Sequence, residues 1–206
     1  MKLIRRGWQY SVYDIGNGRV LKRYNTGFES YLEMLKEQLF NLWFPVTGFS
    51  NIYKESKVLA SRSLQKITSC TVDQSLFGNP KIIGELEYEQ DLVKPLSDYF
   101  ENHSVNESKK MIDKFIKFCK LLHKNSLIEK HFNMADNFGL NNSEEIVLID
   151  LGEICSSKEE ISKQINKQVW LGPDVLGKFP AALGKYFIQK MNEAFGKNVF
   201  TQNDII

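Results

Sequence analysis

Two neighbouring stretches of the chain decide its fold: Phe-Asn-Met-Ala-Asp-Asn-Phe-Gly-Leu at residues 132–140 and Ile-Val-Leu-Ile-Asp-Leu-Gly-Glu at residues 146–153. Each carries a short apolar run, and the polar residues 141–145 between the runs are typical of a turn, so the sequence predicts a short β-hairpin. Asn137 stands before the first predicted strand, and Asp150 ends the second one, thirteen positions later (150 − 137). The hairpin therefore has an amide side chain at its start and a carboxylate at its end.

Asn137 and Asp150 each have an ordinary structural explanation. An Asn just before Phe138-Gly139 is typical of a turn, and an Asp at the end of an apolar strand can cap the next segment. However, a carboxylate that ends Val-Leu-Ile and stands directly before Leu-Gly is more than a cap requires. We therefore interpret the two residues as parts of one functional site.

The composition is that of an ordinary globular protein. The chain has 206 residues, of which 42% are hydrophobic and 25% charged, which is enough for one large or two small packed units. The net charge is +2 at pH 7, the pI is near 8.3, and the basic clusters at residues 5–6 and 109–110 are short. Because nucleic acids and membrane surfaces recruit clustered Lys and Arg, the sequence argues against both as partners.

The cysteines and the apolar runs bear on the compartment. Cys70, Cys119 and Cys155 are widely spaced and form no Cys-x-x-Cys pair, which is typical of reduced thiols in an intracellular protein. No apolar run approaches the ~18 residues of a membrane span, and the first six residues are too short and too charged for a signal peptide. We therefore expect a cytoplasmic protein.

The spacing of the apolar residues predicts strands first and helices later. The first 25 residues form a predicted three-stranded meander (2–6, 11–15 and 19–24), in which Asn17-Gly18 favours a type I′ hairpin turn. The further predicted elements are helices at 27–43 and 51–66, strands at 81–84 and 86–93, and helices at 105–124, 157–168 and 180–195. This succession predicts the α+β class, with a β-rich first part and a helical second part.

Taken together, these elements resemble a trimmed protein-kinase-like fold over roughly residues 3–155. Asn137, the hairpin and Asp150-Leu151-Gly152 are similar in order to the catalytic loop and the Asp-Phe-Gly segment of that superfamily. The chain looks like a minimal, degenerate bacterial member of the YrbL type. The resemblance implies a bilobal protein with a β-rich N-lobe at residues 1–95 and a truncated helical C-lobe at residues 96–206.

The resemblance also implies ATP and Mg²⁺ as cofactors, with a nucleotide as the bound partner. Asn137 and Asp150 match the two residues that hold Mg²⁺ in protein kinases. Lys22, at the end of Val20-Leu21-Lys22, matches the lysine that contacts the α- and β-phosphates. A lysine that ends an edge strand is, on its own, more often part of the solvated surface.

Three further cofactor-binding residues follow from the resemblance. Gly7 falls at the second glycine of the phosphate loop, although the loop is otherwise poor in glycine. Glu55 is the better match for the helical glutamate that pairs with Lys22, and Glu33 is the alternative; an exposed helix carboxylate remains open for either one. Gln90 lies in the segment at residues 89–96, which corresponds to the hinge that binds the adenine edge through backbone groups.

The catalytic loop departs from the family at one decisive position. Protein kinases have an Asp five positions before the metal-binding Asn, and this chain has Phe132 there. The loss of a general base typically removes a factor of about 10²–10⁴ from the rate. Asp136, Glu153 and His131 are the candidate replacement bases, and Asn133 is a candidate for orienting a substrate hydroxyl.

Three hypotheses about function therefore stay open. The first is an atypical ATP- and Mg²⁺-dependent phosphotransferase with an unknown substrate. The second is a catalytically inactive pseudokinase that acts as a binding module for a protein partner. The third is an unrelated α+β domain whose motifs match by chance. The retained Lys22, Asn137 and Asp150 favour the first hypothesis, whereas Phe132 and the glycine-poor loop favour the second.

Overall fold

The computed structural model describes residues 1–41, 48–179 and 181–196. The chain divides into two compact units. The first unit contains Met1–Leu92 together with the short segment Leu151–Glu153, and the second contains Val93–Asp150 and the residues from Ile154 onward. The change of unit after Leu92 lies close to the lobe boundary expected after residue 95. The return of residues 151–153 to the first unit has no counterpart in the sequence-based prediction.

The first unit is built on an antiparallel five-stranded sheet. In spatial order its strands are β1 (Lys2–Arg6), β2 (Tyr10–Gly16), β3 (Arg19–Tyr24), β5 (Glu87–Asp91) and β4 (Lys81–Gly84). Asn17 and Gly18 connect β2 to β3 with positive φ angles of 54° and 70°, which confirms the predicted type I′ turn. Because β5 pairs with β3, the strand that carries Lys22 lies in the centre of the sheet, and the prediction of an edge strand is wrong.

Two helices and a short 3₁₀ helix complete the first unit. They are α1 (Gly27–Asn41), α2 (Phe49–Ser69) and the 3₁₀ helix Gln74–Phe77. The buried positions of α2 recur at intervals of three or four and therefore form one face: Ser56, Ala60, Ser63, Leu64 and Ile67. Tyr10, Tyr24 and Tyr88 are buried in the same unit, and their rings meet edge to face at centroid distances of 5.0 and 5.6 Å.

The second unit consists mainly of helices. They are α3 (Leu96–Asn102), α4 (Val105–Lys124), α5 (Met134–Asn137), α6 (Lys158–Asn166), α7 (Pro173–Leu176) and α8 (Ala181–Phe195), with a 3₁₀ helix at Val169–Leu171. Its short strands are β6 (Lys94–Pro95), β7 (Ile128–Glu129), β8 (Phe138–Leu140), β9 (Ile146–Leu148) and β10 (Ile154–Cys155). They form a three-stranded sheet in the order β6-β8-β9 and the pair β10-β7.

Aromatic side chains form the core of the second unit. Phe138 on β8 meets Phe115 and Phe118 of α4 edge to face, at centroid distances of 4.8 and 5.8 Å. Phe187 of α8 packs against Phe115 from the other helix. The apolar stripe of α4 thus anchors both α8 and the β8–β9 hairpin, which fixes the strand that follows Asn137.

The structure confirms the α+β class and most of the predicted element order. The predicted helix at 105–124 coincides with α4, and the predicted tail helices correspond to α6 and α8, although residue 180 lies outside the described part of the chain. The predicted strand at 86–93 ends earlier, at Asp91, because the chain then enters the second unit and pairs with β8 at Lys94. Residues 42–43 of the predicted helix at 27–43 lie outside the described residues.

None of the described helices combines the length and the apolar character that crossing a bilayer requires.

Candidate functional site

The β8–β9 hairpin brings Asn137 and Asp150 together in the second unit. Phe138 pairs with Leu148 at the open end of the hairpin. Just beyond this pair, the carbonyl oxygen of Asn137 accepts the backbone N–H groups of Ile149 at 2.8 Å and Asp150 at 3.2 Å. Asn137 and Asp150, thirteen positions apart in the sequence, are therefore joined by a direct backbone hydrogen bond.

A buried carboxylate orients the side chain of Asn137. Glu129 on β7 is only 1% exposed, and its Oε1 accepts the side-chain Nδ2–H of Asn137 at 3.0 Å. A carboxylate only accepts hydrogen bonds, so the NH₂ end of the amide must face Glu129. Consequently the carbonyl end, Oδ1, is directed away from Glu129 and is the end that can coordinate a ligand.

The same carboxylate holds the backbone of the loop before Asn137. Glu129 accepts hydrogen bonds from the backbone N–H groups of His131 at 3.2 Å and Asn133 at 2.9 Å.

Burial raises the pKa of the Cys119 thiol well above its ordinary value, and the negative charge of Glu129 adds to this rise. Glu129 was missed by the sequence-based reasoning, although a carboxylate directly after the apolar pair Leu127-Ile128 is an unusual feature for a buried strand.

Phe132 is the residue that the sequence resemblance aligns with a catalytic Asp. It is fully buried, and its ring meets Trp170 at 5.8 Å and Phe195 at 5.3 Å. Its φ angle of 53° lies in the left-handed region, which costs a bulky residue on the order of 1–3 kcal/mol. The side chain at this position thus anchors the loop in the core instead of facing a reactant.

The candidate bases Asp136 and Glu153 lie in different units. Asp136 is in the one-turn helix α5, and its carboxylate lies 3.4 Å from the ammonium of Lys178. Glu153 is half-buried in the first unit and ends the segment Leu151–Glu153. His131, the third candidate, is half-buried in the second unit, and its backbone N–H is taken by Glu129.

Lys22 is on the buried face of the sheet in the first unit. With Val20 and Tyr24 it forms the inward-facing set of β3, and its exposure is 9%. Its ammonium lies 5.8 Å from the centre of the Tyr88 ring, on the neighbouring strand β5. A lysine in such surroundings is costly unless an anion compensates its charge, so the solvated-surface interpretation of Lys22 is wrong.

Tyr88 links Lys22 to the segment that follows Asp150. The backbone N–H of Leu151 donates to the Tyr88 hydroxyl at 3.4 Å, and the Ser63 hydroxyl donates to the carbonyl of Gly152 at 3.4 Å. All of these residues belong to the first unit. The two residues after Asp150 are thus held between α2 and the strand that faces Lys22.

Gly7 lies in a three-residue turn between β1 and β2. Buried Asn25 closes this turn by donating its Nδ2–H to the carbonyl oxygens of Gly7 at 2.6 Å and Trp8 at 3.3 Å. A Cβ atom at Gly7 would make only an ordinary 3.7 Å contact, with the carbonyl of Tyr10, and its φ is not in the left-handed region. The turn therefore has no steric need for glycine at this position.

Glu55 and Glu33 differ in burial, because Glu55 is exposed and Glu33 is half-buried. Glu55 is exposed on α2, next to Ser56 of the buried face. Glu33 on α1 forms an ion pair with Lys36 one turn later, at 2.7 Å. The structure therefore favours the exposed-carboxylate interpretation of Glu55.

The predicted hinge is tied into the first unit. The Gln90 side chain is fully buried and donates its Nε2–H to the carbonyl of Phe77 at 2.7 Å. The backbone N–H groups of Asp91 and Leu92 donate to the carbonyls of Gly78 and Gly18, each at 2.8 Å. These two amides are consequently engaged within the protein, and an adenine ring would have to be recognised by other groups.

The donors at the hairpin match the chemistry of Mg²⁺. In the described residues, no group of three or more His, Cys, Asp or Glu side chains is arranged to hold a metal. Mg²⁺ at a nucleotide site needs less, because it prefers hard oxygen ligands and uses one or two protein groups together with phosphate oxygens and water. The Oδ1 atom of Asn137 and the carboxylate of Asp150 are oxygen donors of this type.

Comparisons with known proteins leave the family open. No protein-family model matches the chain, and no curated protein matches it. Among solved structures, the complex of Rv3197 with erythromycin from Mycobacterium tuberculosis matches 94% of this chain and 54% of that chain, with 14% sequence identity and a TM-score of 0.46. This chain thus spans about half the length of that protein. A match at this TM-score supports no argument about function, so the case for function rests on the residues themselves.

Proposed function

We propose that this chain is a minimal protein-kinase-like protein that binds ATP together with Mg²⁺. The observation that carries the proposal is the fixed pair at the hairpin, in which the carbonyl of Asn137 holds the backbone amide of Asp150. The amide orientation imposed by Glu129 supports the assignment of Asn137 Oδ1 as a metal ligand. In this proposal Asn137 and Asp150 hold the metal.

Lys22 supplies the second element of the proposed site. Its burial among apolar and aromatic side chains supports a role in binding an anion, because a buried ammonium is stabilised by an opposite charge. The α- and β-phosphates of ATP are anions of this kind. Within the first unit, Leu151 donates its backbone N–H to the hydroxyl of Tyr88, the residue whose ring lies beside the Lys22 ammonium.

The proposed site divides the work of phosphoryl transfer between the metal and the protein. Mg²⁺, when bound, would neutralise the charge on the phosphate oxygens. The protein would position the nucleotide: Lys22 would contact the phosphates, and Asn137 and Asp150 would fix the metal relative to them. Positioning and charge neutralisation provide most of the catalysis in phosphoryl transfer.

A second candidate function is that of a nucleotide-binding module without catalysis. Phe132 favours it, because its buried ring replaces the catalytic Asp. Asp136, the candidate base that directly precedes Asn137, forms an ion pair with Lys178 through its carboxylate. Under this alternative the protein binds ATP and Mg²⁺ but regulates or assembles with a protein partner.

Thermal unfolding tests the binding that both candidates share. The purified protein is heated with ATP, with and without Mg²⁺, in parallel with Asp150→Ala and the matched variant Glu101→Ala, which removes an exposed carboxylate of the same unit. ATP at about 100 times its Kd stabilises the folded state by about 2.7 kcal/mol, which raises the Tm by several degrees. The expected result is a Mg²⁺-dependent rise in wild type and Glu101→Ala that is lost in Asp150→Ala.

The outcome against the proposal is equally direct. If millimolar ATP with Mg²⁺ leaves the wild-type Tm unchanged, or if Asp150→Ala shows the same rise as wild type, the nucleotide site is not where we place it. Once binding is established, single-turnover hydrolysis of ATP separates the two candidates. A slow phosphoryl transfer that falls in Asp136→Asn or Glu153→Gln favours the phosphotransferase, whereas binding without turnover favours the module.

A further inference from the structure

We propose that Glu129 is a positioning residue for the metal site, which sets the side-chain amide of Asn137 so that its Oδ1 faces the metal. This inference rests on the proposed function and deepens it. Three N–H groups donate hydrogen bonds to the carboxylate of Glu129, at distances between 2.9 and 3.2 Å. Two of these donors are backbone amides, and the third is the side-chain NH₂ group of Asn137.

The geometry gives the amide of Asn137 only one favourable orientation. The two ends of an Asn amide are nearly identical in shape, so packing alone discriminates poorly between them. A carboxylate at 3.0 Å discriminates strongly, because the reversed amide would place two acceptor oxygens against each other. Glu129 therefore determines which atom of Asn137 points towards the proposed ligand.

Glu129 also holds the loop on both sides of its strained residue. The two backbone donors, His131 and Asn133, flank Phe132, whose φ is 53°. Together with the buried ring of Phe132, these bonds stabilise a conformation that the backbone would not adopt alone. The loop thus reaches Asn137 with its direction already fixed.

Residues that orient a metal ligand through a hydrogen bond have a measurable signature. Their substitution typically lowers metal affinity by about 10–100-fold. We therefore expect Glu129→Gln to weaken Mg²⁺ binding in the presence of ATP by at least roughly tenfold. The reason is that the NH₂ group of a glutamine at this position competes for the place of the Asn137 donor and turns Oδ1 away from the metal.

Exchanging the donor and the acceptor between Asn137 and Glu129 distinguishes a positioning role of Glu129 from a purely structural one. Asn137→Asp alone places two carboxylates in contact, and it should lower both the Mg²⁺ affinity and the Tm. Combined with Glu129→Gln, the same substitution restores a donor facing an acceptor and keeps the original net charge. Asn137→Asp should therefore be harmful in the wild-type background and beneficial in the Glu129→Gln background.

The exposed turn of the β8–β9 hairpin offers a matched control. There Asn141 donates its Nδ2–H to the Glu145 carboxylate at 3.1 Å, so the same pair of residue types exists away from the proposed site. Glu145→Gln should leave the Mg²⁺ affinity at its wild-type value. The affinity is measured for all variants by titrating Mg²⁺ at fixed ATP and following the Tm, with Mn²⁺ and its electron paramagnetic resonance signal as a second probe.

Nuclear magnetic resonance of the wild-type protein keeps the inference testable if Glu129→Gln does not fold. The side-chain NH₂ signals of Asn137 should exchange with solvent far more slowly than those of exposed Asn102. Equal exchange rates would overturn the inference. Provided that the wild-type protein binds ATP with Mg²⁺, two further results would overturn the inference. One is a wild-type Mg²⁺ affinity in Glu129→Gln, and the other is a double variant, Glu129→Gln with Asn137→Asp, that does not regain Mg²⁺ affinity. If wild type itself shows no Mg²⁺-dependent ATP binding, the proposed function fails, and the metal role of Glu129 fails with it.

Discussion

The backbone amide of Asp150 donates to the carbonyl oxygen of Asn137 across 3.2 Å. This bond lies at the open end of the β8–β9 hairpin, next to the pair of Phe138 and Leu148. The backbones at Asn137 and Asp150 are therefore held together at the end of a sheet, which is more rigid than a loop. A functional pair held in this way needs little reorganisation when a ligand binds.

Lys22→Met should weaken nucleotide binding. The substitution removes the charge while retaining most of the side-chain length in the buried environment of β3. We expect the ATP affinity to fall by at least tenfold, which corresponds to about 1.4 kcal/mol. Isothermal titration with ATP and Mg²⁺ measures the change. Lys81→Met, at an exposed position of β4, is the control and should bind ATP as wild type does; an unchanged affinity in Lys22→Met would remove Lys22 from the site.

Tyr88→Phe should destabilise the first unit. The variant keeps the buried ring but leaves the backbone N–H of Leu151 without its hydroxyl acceptor. The loss of a buried hydrogen-bond partner costs about 1–3 kcal/mol, and the 3.4 Å length of this bond places the expected cost near the lower limit. Urea unfolding measures the free energy. Tyr13→Phe, at a half-exposed position on β2, should change it by less, and equal effects would argue against the Leu151 contact.

Two glycine-to-alanine substitutions should have opposite signs in the second unit. A Cβ at Gly139 would lie 2.6 Å from the carbonyl oxygen of Lys94 and 2.7 Å from a methyl group of Val93, so Gly139→Ala should cost about 1–3 kcal/mol. At Gly184 in α8 the nearest atom is 4.0 Å away. Gly184→Ala should therefore stabilise the helix by about 0.5–1 kcal/mol. Thermal unfolding of both variants checks the signs, and a neutral Gly139→Ala would contradict the close approach of β6 and β8.

Asn25→Ala should be among the more destabilising polar substitutions. Its side chain accepts the Ser11 hydroxyl at 2.6 Å and donates to two carbonyls of the turn at residues 7–9. Because Asn25 is buried, alanine leaves these groups unsatisfied, at an expected cost of about 1–3 kcal/mol. Asn102→Ala removes only a local bond on an exposed helix end and should cost less. Urea unfolding compares the two, and similar values would show that the turn does not depend on Asn25.

The contribution of Glu29 to stability should vanish in acid. Hydrogen bonding from the Thr26 backbone N–H is the largest cause that lowers the pKa of Glu29 below its ordinary value of 4.5, and the Thr26 hydroxyl and the charges of Arg23 and Arg6 act in the same direction. A lowered folded-state pKa means that the unfolded chain takes up the proton first as the pH falls. The stabilisation is therefore complete above pH 4.5 and is lost as the pH falls through the folded-state pKa.

Glu29→Gln provides the measurement. Its unfolding free energy should lie below that of wild type at pH 7, and the difference should shrink below pH 4.5. Glu85→Gln, at an exposed position of the turn before β5, is the control. A difference between Glu29→Gln and wild type that stays constant from pH 7 to pH 3 would contradict the assignment.

The order of the elements could be predicted because its signals are local. The Asn17-Gly18 pair specifies a turn through its own φ preferences, and the stripe on α4 recurs with the helical period. Asn137 and Asp150 could be singled out for the same reason, since one hairpin joins them. The position of β3 within the sheet could not, because it depends on β5, which follows about 60 residues later.

The features of the site that could not be predicted from the sequence depend on partners that are far away along the chain. N–H donors that converge on Glu129 stabilise its burial, and Asn25 bonds the carbonyls of a turn 17 and 18 positions away. Lys22 was ambiguous because β3 carries a basic residue on each face. A polar side chain in a buried environment is interpretable from the sequence only when its partners are known.

The path of the chain has a consequence for synthesis on the ribosome. Residues 151–153 belong to the first unit, although almost all of the second unit up to Asp150 is translated before them. The hydrogen bonds that join the Tyr88 hydroxyl to Leu151 and the Ser63 hydroxyl to Gly152 can form only after this segment has left the exit tunnel. The first unit is therefore not completed as an independent early product, because it needs a segment that is translated about 60 residues after Leu92.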